Sequence, residues 1–211
     1  MREILIKQLN VHQLVIGYDH HFGRNREGDL NYLKKIAPQY DFNVVEIPAQ
    51  EIKDVNVSST KIRNSLLEGN VERANQYLGY EYGIDGKVVK GQKIGRTMGF
   101  PTANVEPNDP YKLIPGNGVY AVMTRIDDKW YKAMANIGTR PTVTNSREVV
   151  IEVNIFDLDR DLYGKLIRVV FIKRLRDELK FENLSTLAKQ MENDAINTQS
   201  VLADRNLNDL D

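Results

Sequence analysis

Apolar residues in the first eighty positions recur in two spacings that alternate along the chain. Runs typical of buried strands are LVIGYD at 14–19 and FNVVEI at 42–47. Helical spacing occurs in four segments: near Ile4 to Leu9, after the candidate N-cap Asp29, between Ser58 and Gly69, and from Val71 to Leu78. Because strands that alternate with helices form parallel sheets, this pattern predicts an α/β unit that binds ligands at the carboxyl ends of its strands.

From Tyr82 onward the apolar spacing changes to two, which is the period of a β-strand. Five strand-like runs follow without intervening helices: GIDGKVV at 83–89, GVYAVMTRI at 118–126, KWYKAMANI at 129–137, VVIEVNIF at 149–156 and LIRVVFIKRL at 166–175. Such a series predicts a small antiparallel barrel. A last helix is predicted from near Asn183, with an apolar face that plugs or flanks the barrel. We therefore place a domain boundary near residue 80.

Charge and composition narrow the classes of partner. The chain of 211 residues has 29 basic and 29 acidic side chains, so no overall field attracts nucleic acid or anionic lipid, and any phosphate binding must be local. A nucleic-acid-binding barrel is disfavoured further because the strands lack interleaved basic and aromatic residues. The sequence has no cysteine and no apolar run long enough to span a bilayer. We expect a cytoplasmic protein that binds neither membrane nor nucleic acid.

The segment GQKIGRTMGFPTAN, residues 91–104, combines backbone freedom with positive charge. Its spacing approaches a P-loop but is one residue short and follows an antiparallel-type strand, so a P-loop is rejected. The physical logic of a P-loop still applies, because glycines let backbone N–H groups approach phosphate oxygens while cations add charge. The candidate phosphate-binding residues are Gly91, Lys93, Gly95, Arg96 and Gly99.

Thr102 and Asn104 follow the fixed turn at Pro101 in a segment that we expect to be extended. Residues two apart on an extended chain point to the same face, so the hydroxyl and the amide are expected side by side. Two neutral oxygens bind bare Mg²⁺ weakly but can complete the shell of a magnesium ion carried by nucleotide phosphates. A glycine- and proline-rich hairpin without a ligand is the alternative, and composition alone slightly favours it.

Glu152 lies between apolar residues on a central-looking strand. Alternation sends Val149, Ile151, Val153 and Ile155 to one face and Glu152, with Val150, Asn154 and Phe156, to the other. A carboxylate in this position is either exposed on an ordinary outer face or held as a catalytic base. From the residues alone, the exposed face is the better interpretation.

Two segments of the first eighty residues offer weaker candidates. VSSTKIR at 57–63 places Ser58, Ser59 and Thr60 at a helix start, followed by Arg63, which would suit a phosphate. A simple helix cap is the default interpretation of these hydroxyls. His20 and His21 lie in a polar loop after a predicted strand, but adjacent histidines are poorly placed to bind one metal together.

Six segments resemble, in order, the bacterial bifunctional riboflavin kinase/FMN adenylyltransferase family, also called prokaryotic FAD synthetase. They are VIGYDHHFGRNREGD (15–29), VSSTKIR (57–63), GKVVKGQKIGRTMGFPTANV (86–105), ANIGTRPT (135–142), IEVNIFDLDRDLYGK (151–165) and LRDELKF (175–181). The resemblance implies an α+β protein. Residues 80–211 would form the riboflavin kinase domain, a six-stranded antiparallel barrel with a C-terminal helix. Residues 1–79 would form the later part of a Rossmann-like α/β nucleotidyltransferase domain.

The resemblance also implies the chemistry of each site. The loop from Gly91 to Gly99 would cover the ATP phosphates, and Thr102 with Asn104 would bind the magnesium-nucleotide. Glu152 would accept the proton of the ribityl 5′-hydroxyl of riboflavin, giving FMN, and Arg176 would approach the flavin. Asn154 stands where the family often has histidine, and an asparagine could replace it only if the histidine supports Glu152 by hydrogen bonding.

One departure from the family pattern concerns the adenylyltransferase half. The H-x-G-H type signature that grips ATP in this family does not occur, because HHFG at 20–23 does not match it. We therefore expect an N-terminally truncated chain that makes FMN but not FAD, with Met1 an internal methionine of a longer product. The incomplete sheet is a candidate surface for self-association. The alternative function is a flavin- or nucleotide-binding module without turnover.

Overall fold

The computed structural model describes residues 2–18, 20–48, 51–52, 55–91, 95, 99–141 and 147–205. The chain divides by contacts into two compact units, residues 1–57 and residues 58–211. The predicted boundary near residue 80 lies later than this division, because the two helices between residues 58 and 79 belong by contact to the second unit. The boundary near residue 80 remains a prediction for the family domains.

The first unit is built around two parallel strands. A π-helix, Arg2–Gln8, precedes β1 (Gln13–Gly17), and α1 (Leu30–Ile36) leads through a short 3₁₀ turn to β2 (Asn43–Ile47), which pairs in parallel with β1. Asp29 caps α1 by accepting a hydrogen bond from the Tyr32 N–H at 2.8 Å. A short antiparallel pair, β3 (Glu51–Ile52) and β4 (Val55–Asn56), follows. The predicted parallel pairing is confirmed.

Among the residues that the structure describes, the second unit contains a closed six-stranded barrel and the helices given below. Two helices come first, α2 (Ser59–Leu67) and α3 (Val71–Leu78), and α4 (Leu184–Val201) comes last. The strands are β5 (Gly83–Val89), β6 (Ala103–Pro107), β7 (Gly118–Ile126), β8 (Lys129–Pro141), β9 (Arg147–Ile155) and β10 (Leu166–Arg176). Their order around the barrel is β10-β5-β6-β9-β8-β7, and all described pairings are antiparallel. The predicted barrel and C-terminal helix are confirmed.

The barrel interior is filled by alternate residues of its strands. Fully buried examples from four different strands are Ile84, Val122, Ile137 and Val153. Tyr120 and Phe171 meet edge to face inside the barrel with ring centroids 5.4 Å apart. Because the interior is packed with side chains, a substrate must bind on the outside of the barrel wall or at its ends.

Asn75 fastens α3 to the barrel. Its side-chain amide donates to the Phe171 carbonyl and accepts from the Tyr82 N–H, both at 2.8 Å. Gly79 ends the helix in the left-handed conformation with φ of 76°, as the sequence predicted.

Tyr82 predicts how the stability of the second unit depends on alkaline pH. Burial, with added effects of Tyr80 and Asp109, raises the pKa of Tyr82 from 10.0 to about 12, and its hydroxyl donates to the Leu113 carbonyl at 2.7 Å. The unfolded chain therefore ionises first, so stability that is fully present below pH 10 is lost as pH rises through the folded pKa. We expect Tyr82→Phe to reduce this alkaline loss in urea titrations from pH 8 to 12. Tyr111→Phe, at a 92% exposed residue, should leave it unchanged, and an unaltered loss in Tyr82→Phe would contradict the assignment.

Candidate active site

Glu152 lies in a cavity on the outer wall of the barrel. Along β9, Ile151, Val153 and Ile155 face the barrel interior, while Glu152 and Asn154 point outward, as alternation predicted. Other elements cover this face in part and leave a cavity of about 240 Å³ that is open to solvent, so Glu152 is half-buried. Its wall includes Thr102 beside the start of β6, residues of β8, the segment after β10, and α4. Glu152 is therefore neither buried nor fully exposed, and its role as a catalytic base stays a prediction.

The carboxylate of Glu152 forms an ion pair with Arg140. The Arg140 Nη2 donates to Glu152 Oε1, and the two side chains retain 34% and 25% of their exposure. Arg140 lies near the end of β8, whereas the β8 residue directly opposite Glu152 is Asn136. Gly138 lies between Asn136 and Arg140 on the same face of β8, and the Glu178 carboxylate occupies the space that a side chain would take at this glycine.

A second arginine of the cavity wall is held by a buried carboxylate. Arg176 donates from Nε to both oxygens of Asp194, at 2.9 and 3.1 Å, and from Nη2 to Oδ2 at 2.6 Å. Asp194 is 3% exposed and also accepts from Gln190 Nε2 at 2.9 Å. The pair joins the end of β10 to α4. Arg176, predicted to approach a flavin, therefore lines the cavity with its guanidinium fixed in place.

Part of the cavity wall is apolar. Phe181, Leu187, Met191 and Met134 line it, and the guanidinium carbon of Arg176 lies 6.0 Å from the centre of the Phe181 ring. A flat, partly apolar ring system fits such a wall, because aromatic and thioether side chains pack on ring faces and edges. The cavity wall therefore combines an apolar surface with carboxylates, among them Glu152 and Glu178.

Thr102 borders a second cavity as well. That cavity, of about 590 Å³, is lined by Val88 of β5, by Pro101 to Ala103, by Val153 and Ile155, and by residues 158–163 after β9. Arg160 and Asp161 supply charge, and Leu158 and Leu162 supply apolar surface. Thr102 lies in the walls of both cavities, so a group held there is adjacent to both.

Asn104 lies beside Thr102 and opposite Glu152. It is the register partner of Glu152 between β6 and β9, is 7% exposed, and packs against Gly91. A Cβ at Gly91 would collide with the Asn104 amide, so a glycine is required there. The hydroxyl of Thr102 and the amide oxygen of Asn104 are ligand types that Mg²⁺ accepts, and the donor chemistry fits this ion. Among the residues that the structure describes, no group of three or more His, Asp or Glu side chains could hold a metal by itself.

The glycine-rich loop is described only in part. Lys93 and Arg96, predicted to bind phosphate, lie outside the described residues. Gly95 lines the Glu152 cavity, and its carbonyl accepts from the Phe100 N–H at 2.9 Å. Gly99 has φ of 82°, a conformation that favours glycine.

The hydroxyl cluster at the start of α2 acts as a helix cap. Ser58 Oγ accepts from the Lys61 N–H at 3.3 Å, and Ser59, Thr60 and Arg63 are exposed. The cluster belongs to the second unit, and its predicted phosphate-binding role stays a prediction.

None of the helices described, whatever its position in the chain, has the length and apolar character needed to cross a membrane.

Sequence reasoning missed Arg140 and Asp194. Arg140 occurs in a segment that was noted only as part of a resemblance, and nothing in its spacing indicates that it reaches Glu152. A signal for Asp194 existed. Leu187, Met191, Asp194 and Thr198 recur at helical spacing, so a carboxylate on this buried face requires a partner.

Comparisons with known proteins agree with this architecture. The family model of riboflavin kinase matches residues 78–202, and that of FAD synthetase matches residues 1–61. The chain is 39% identical over 198 residues to the bifunctional riboflavin kinase/FMN adenylyltransferase of Buchnera aphidicola, covering 93% of this chain and 63% of the relative. The protein of the same name from Escherichia coli K12 is 40% identical over 195 residues, covering 92% and 61%.

One solved structure extends the likeness to three dimensions. A crystal structure from Streptococcus pneumoniae, named as a macrolide-efflux protein, superposes with a TM-score of 0.84 at 36% identity. The match covers 94% of this chain and 63% of the other. The chain thus spans less than two thirds of the length of the curated relatives and of this structure.

Proposed function

The chain belongs to the riboflavin kinase family, and from that premise we propose that it transfers the γ-phosphate of ATP to the ribityl 5′-hydroxyl of riboflavin, giving FMN. One observation carries the proposal for these particular residues. A carboxylate, Glu152, lies half-buried in a cavity that shares a wall residue, Thr102, with a second and larger cavity. A reaction between two bound substrates requires two adjacent sites of this kind, because positioning supplies much of the rate of phosphoryl transfer.

We assign riboflavin to the cavity that contains Glu152. Its apolar wall of Phe181, Leu187 and Met191 suits the isoalloxazine ring, and Arg176 offers a fixed cation beside Phe181. Glu152 then faces the ribityl chain and accepts the proton of the 5′-hydroxyl. In this assignment Arg176 contacts the flavin while Asp194 keeps its orientation.

We assign ATP to the second cavity and to the glycine-rich loop beside it. The cavity of about 590 Å³ is the larger of the two that Thr102 borders. Gly91, Gly95 and Gly99 would let backbone amides approach the phosphates, and the predicted contributions of Lys93 and Arg96 would add charge. Thr102 and Asn104 would hold Mg²⁺ together with the nucleotide. The ion would neutralise charge on the transferring phosphoryl group.

Thr102→Ala tests the magnesium assignment. Removing the hydroxyl takes away one proposed oxygen ligand, so we expect a several-fold rise in the Mg²⁺ concentration needed for half-maximal FMN formation, with little change in riboflavin KM. Thr102→Ser keeps the hydroxyl and should restore the wild-type requirement. An identical Mg²⁺ curve for Thr102→Ala and the wild type would remove Thr102 from this role.

Chromatographic separation of the flavins after incubation with riboflavin, ATP and MgCl₂ tests the function itself. We expect FMN without FAD, because the sequence lacks the H-x-G-H type signature of the adenylyltransferase site. Formation of FAD would contradict that expectation. Flavin binding without either product would favour the alternative, a binding module without turnover.

We further propose that residues 1–57 mediate self-association. The support is an apolar surface on a sheet of only two described strands, where Val15, Val45 and Ile47 are 52%, 41% and 50% exposed.

A further inference from the structure

Arg140 has no role in the assignments above, yet it is the residue that contacts the proposed base. Its guanidinium contacts Glu152, and both side chains are partly exposed and line the cavity. An exposed surface pair contributes little to stability. Stability therefore does not explain why Arg140 is held at the carboxylate of the proposed base.

The geometry of the proposed reaction determines which substrate atoms come close to Arg140. A general base acts on a hydroxyl within hydrogen-bonding distance, about 2.6 to 3.2 Å between heavy atoms. The phosphorus atom becomes bonded to the oxygen of that same hydroxyl. The transferred phosphoryl oxygens therefore lie two bonds beyond an atom that contacts Glu152, within reach of a guanidinium that already contacts Glu152.

We propose that Arg140 binds the phosphoryl group as it reaches the flavin and then holds the 5′-phosphate of FMN; this proposal rests on the function proposed above. The 5′-hydroxyl oxygen forms a bond to the γ-phosphorus, and its proton passes to Glu152. The bond from that phosphorus to the β,γ-bridging oxygen breaks, and its electron pair leaves with ADP. Glu152 becomes neutral as the new phosphate arrives, so Arg140 exchanges one anionic partner for another.

Arg176, the other arginine lining the described part of the cavity, is not suited to this exchange. Its guanidinium makes three hydrogen bonds to Asp194, which is 3% exposed. Arg140 pairs instead with the one carboxylate whose charge changes during the proposed step. Bidentate binding of phosphate is a property of the guanidinium fork, so lysine is expected to replace Arg140 only in part.

Flavin affinities of the full chain test this assignment. We expect Arg140→Gln to weaken FMN binding by about tenfold or more while riboflavin binding changes by less than about twofold, measured by flavin fluorescence titration. Arg140→Lys should fall between the wild type and Arg140→Gln. The matched control is Arg168→Gln, since Arg168 is also paired with a carboxylate, Asp85 at 3.1 Å, but does not line the cavity. It should leave both affinities unchanged.

A second measurement separates direct contact from an effect through Glu152. Loss of Arg140 leaves the Glu152 carboxylate unpaired, which would by itself repel a phosphate. In the Glu152→Gln background that repulsion is gone, and we still expect Arg140→Gln to lower FMN affinity. An FMN affinity that no longer depends on Arg140 in this background would overturn the proposal, as would equal losses for riboflavin and FMN.

The outcomes also distinguish this inference from the proposed function. A wild-type chain that forms no FMN but binds FMN through Arg140 would refute the kinase assignment and support the phosphate contact. If the chain forms FMN but its affinity for FMN does not depend on Arg140, the kinase assignment is supported and the phosphate contact is refuted.

Discussion

Glu152→Gln is expected to lower kcat for FMN formation by about 10² or more, the usual effect of removing a general base. The amide keeps the size of the side chain and an oxygen toward Arg140, so the cavity should keep its shape. It cannot accept the proton of the 5′-hydroxyl at neutral pH. Riboflavin affinity should therefore stay within about twofold of the wild type, because the apolar wall is unchanged.

A matched substitution controls for the loss of a carboxylate. Glu106 lies on β6, next to the β9 strand of Glu152, but is exposed and lines neither cavity that Thr102 borders. Glu106→Gln should keep the wild-type kcat and riboflavin affinity in the same assay. If Glu152→Gln also keeps its kcat, Glu152 is not the base. If it loses riboflavin binding in parallel with kcat, the carboxylate shapes the cavity and need not take part in the proton transfer.

Apolar spacing and capping residues predicted those helices and strands whose ends depend mainly on residues close together in the sequence. Period-two spacing placed β5 and β7 with their observed ends, and capping residues placed α1 and α2. β6 was not identified as a strand of the barrel, because its five residues ANVEP contain too little alternation to stand out. β8 continues to Pro141, beyond the predicted end at Ile137, since pairing with β9 supports the extra residues.

The environment of Glu152 could not be predicted from such short-range patterns. Alternation gave the correct face of β9, but it could not show whether that face meets water or another element. The answer depends on where α4 and the segment after β10 pack, and those contacts join residues far apart in sequence. The pairing of Arg140 with Glu152 depends in the same way on the register of β8 against β9. Alternation along β9 therefore predicted which side chains share a face, but not which residues of other elements contact them.

Asp194→Ala is expected to destabilise the second unit by about 3 kcal/mol, the lower end of the effect of breaking a buried ion pair. The substitution leaves Arg176 without the carboxylate that accepts three of its hydrogen bonds and leaves Gln190 without an acceptor. The lower end applies because the Arg176 side chain is 20% exposed, so water partly replaces the lost partner. Urea denaturation monitored by the fluorescence of Trp130 measures the change. Asn193→Ala, at an exposed neighbour on the same helix, should alter stability by less than about 0.5 kcal/mol.

A double variant then separates stability from binding at this wall. Replacing a buried ion pair by apolar residues of similar size is often neutral, so Arg176→Met with Asp194→Leu should recover most of the stability that Asp194→Ala loses. If Arg176 contacts the flavin, the recovered protein should still bind riboflavin several-fold more weakly than the wild type. If the double variant binds riboflavin with wild-type affinity, the Arg176–Asp194 pair only holds β10 and α4 together, and Arg176 does not contact the flavin. If Asp194→Ala and Asn193→Ala have the same free energy of unfolding, the Arg176–Asp194 pair does not stabilise the second unit.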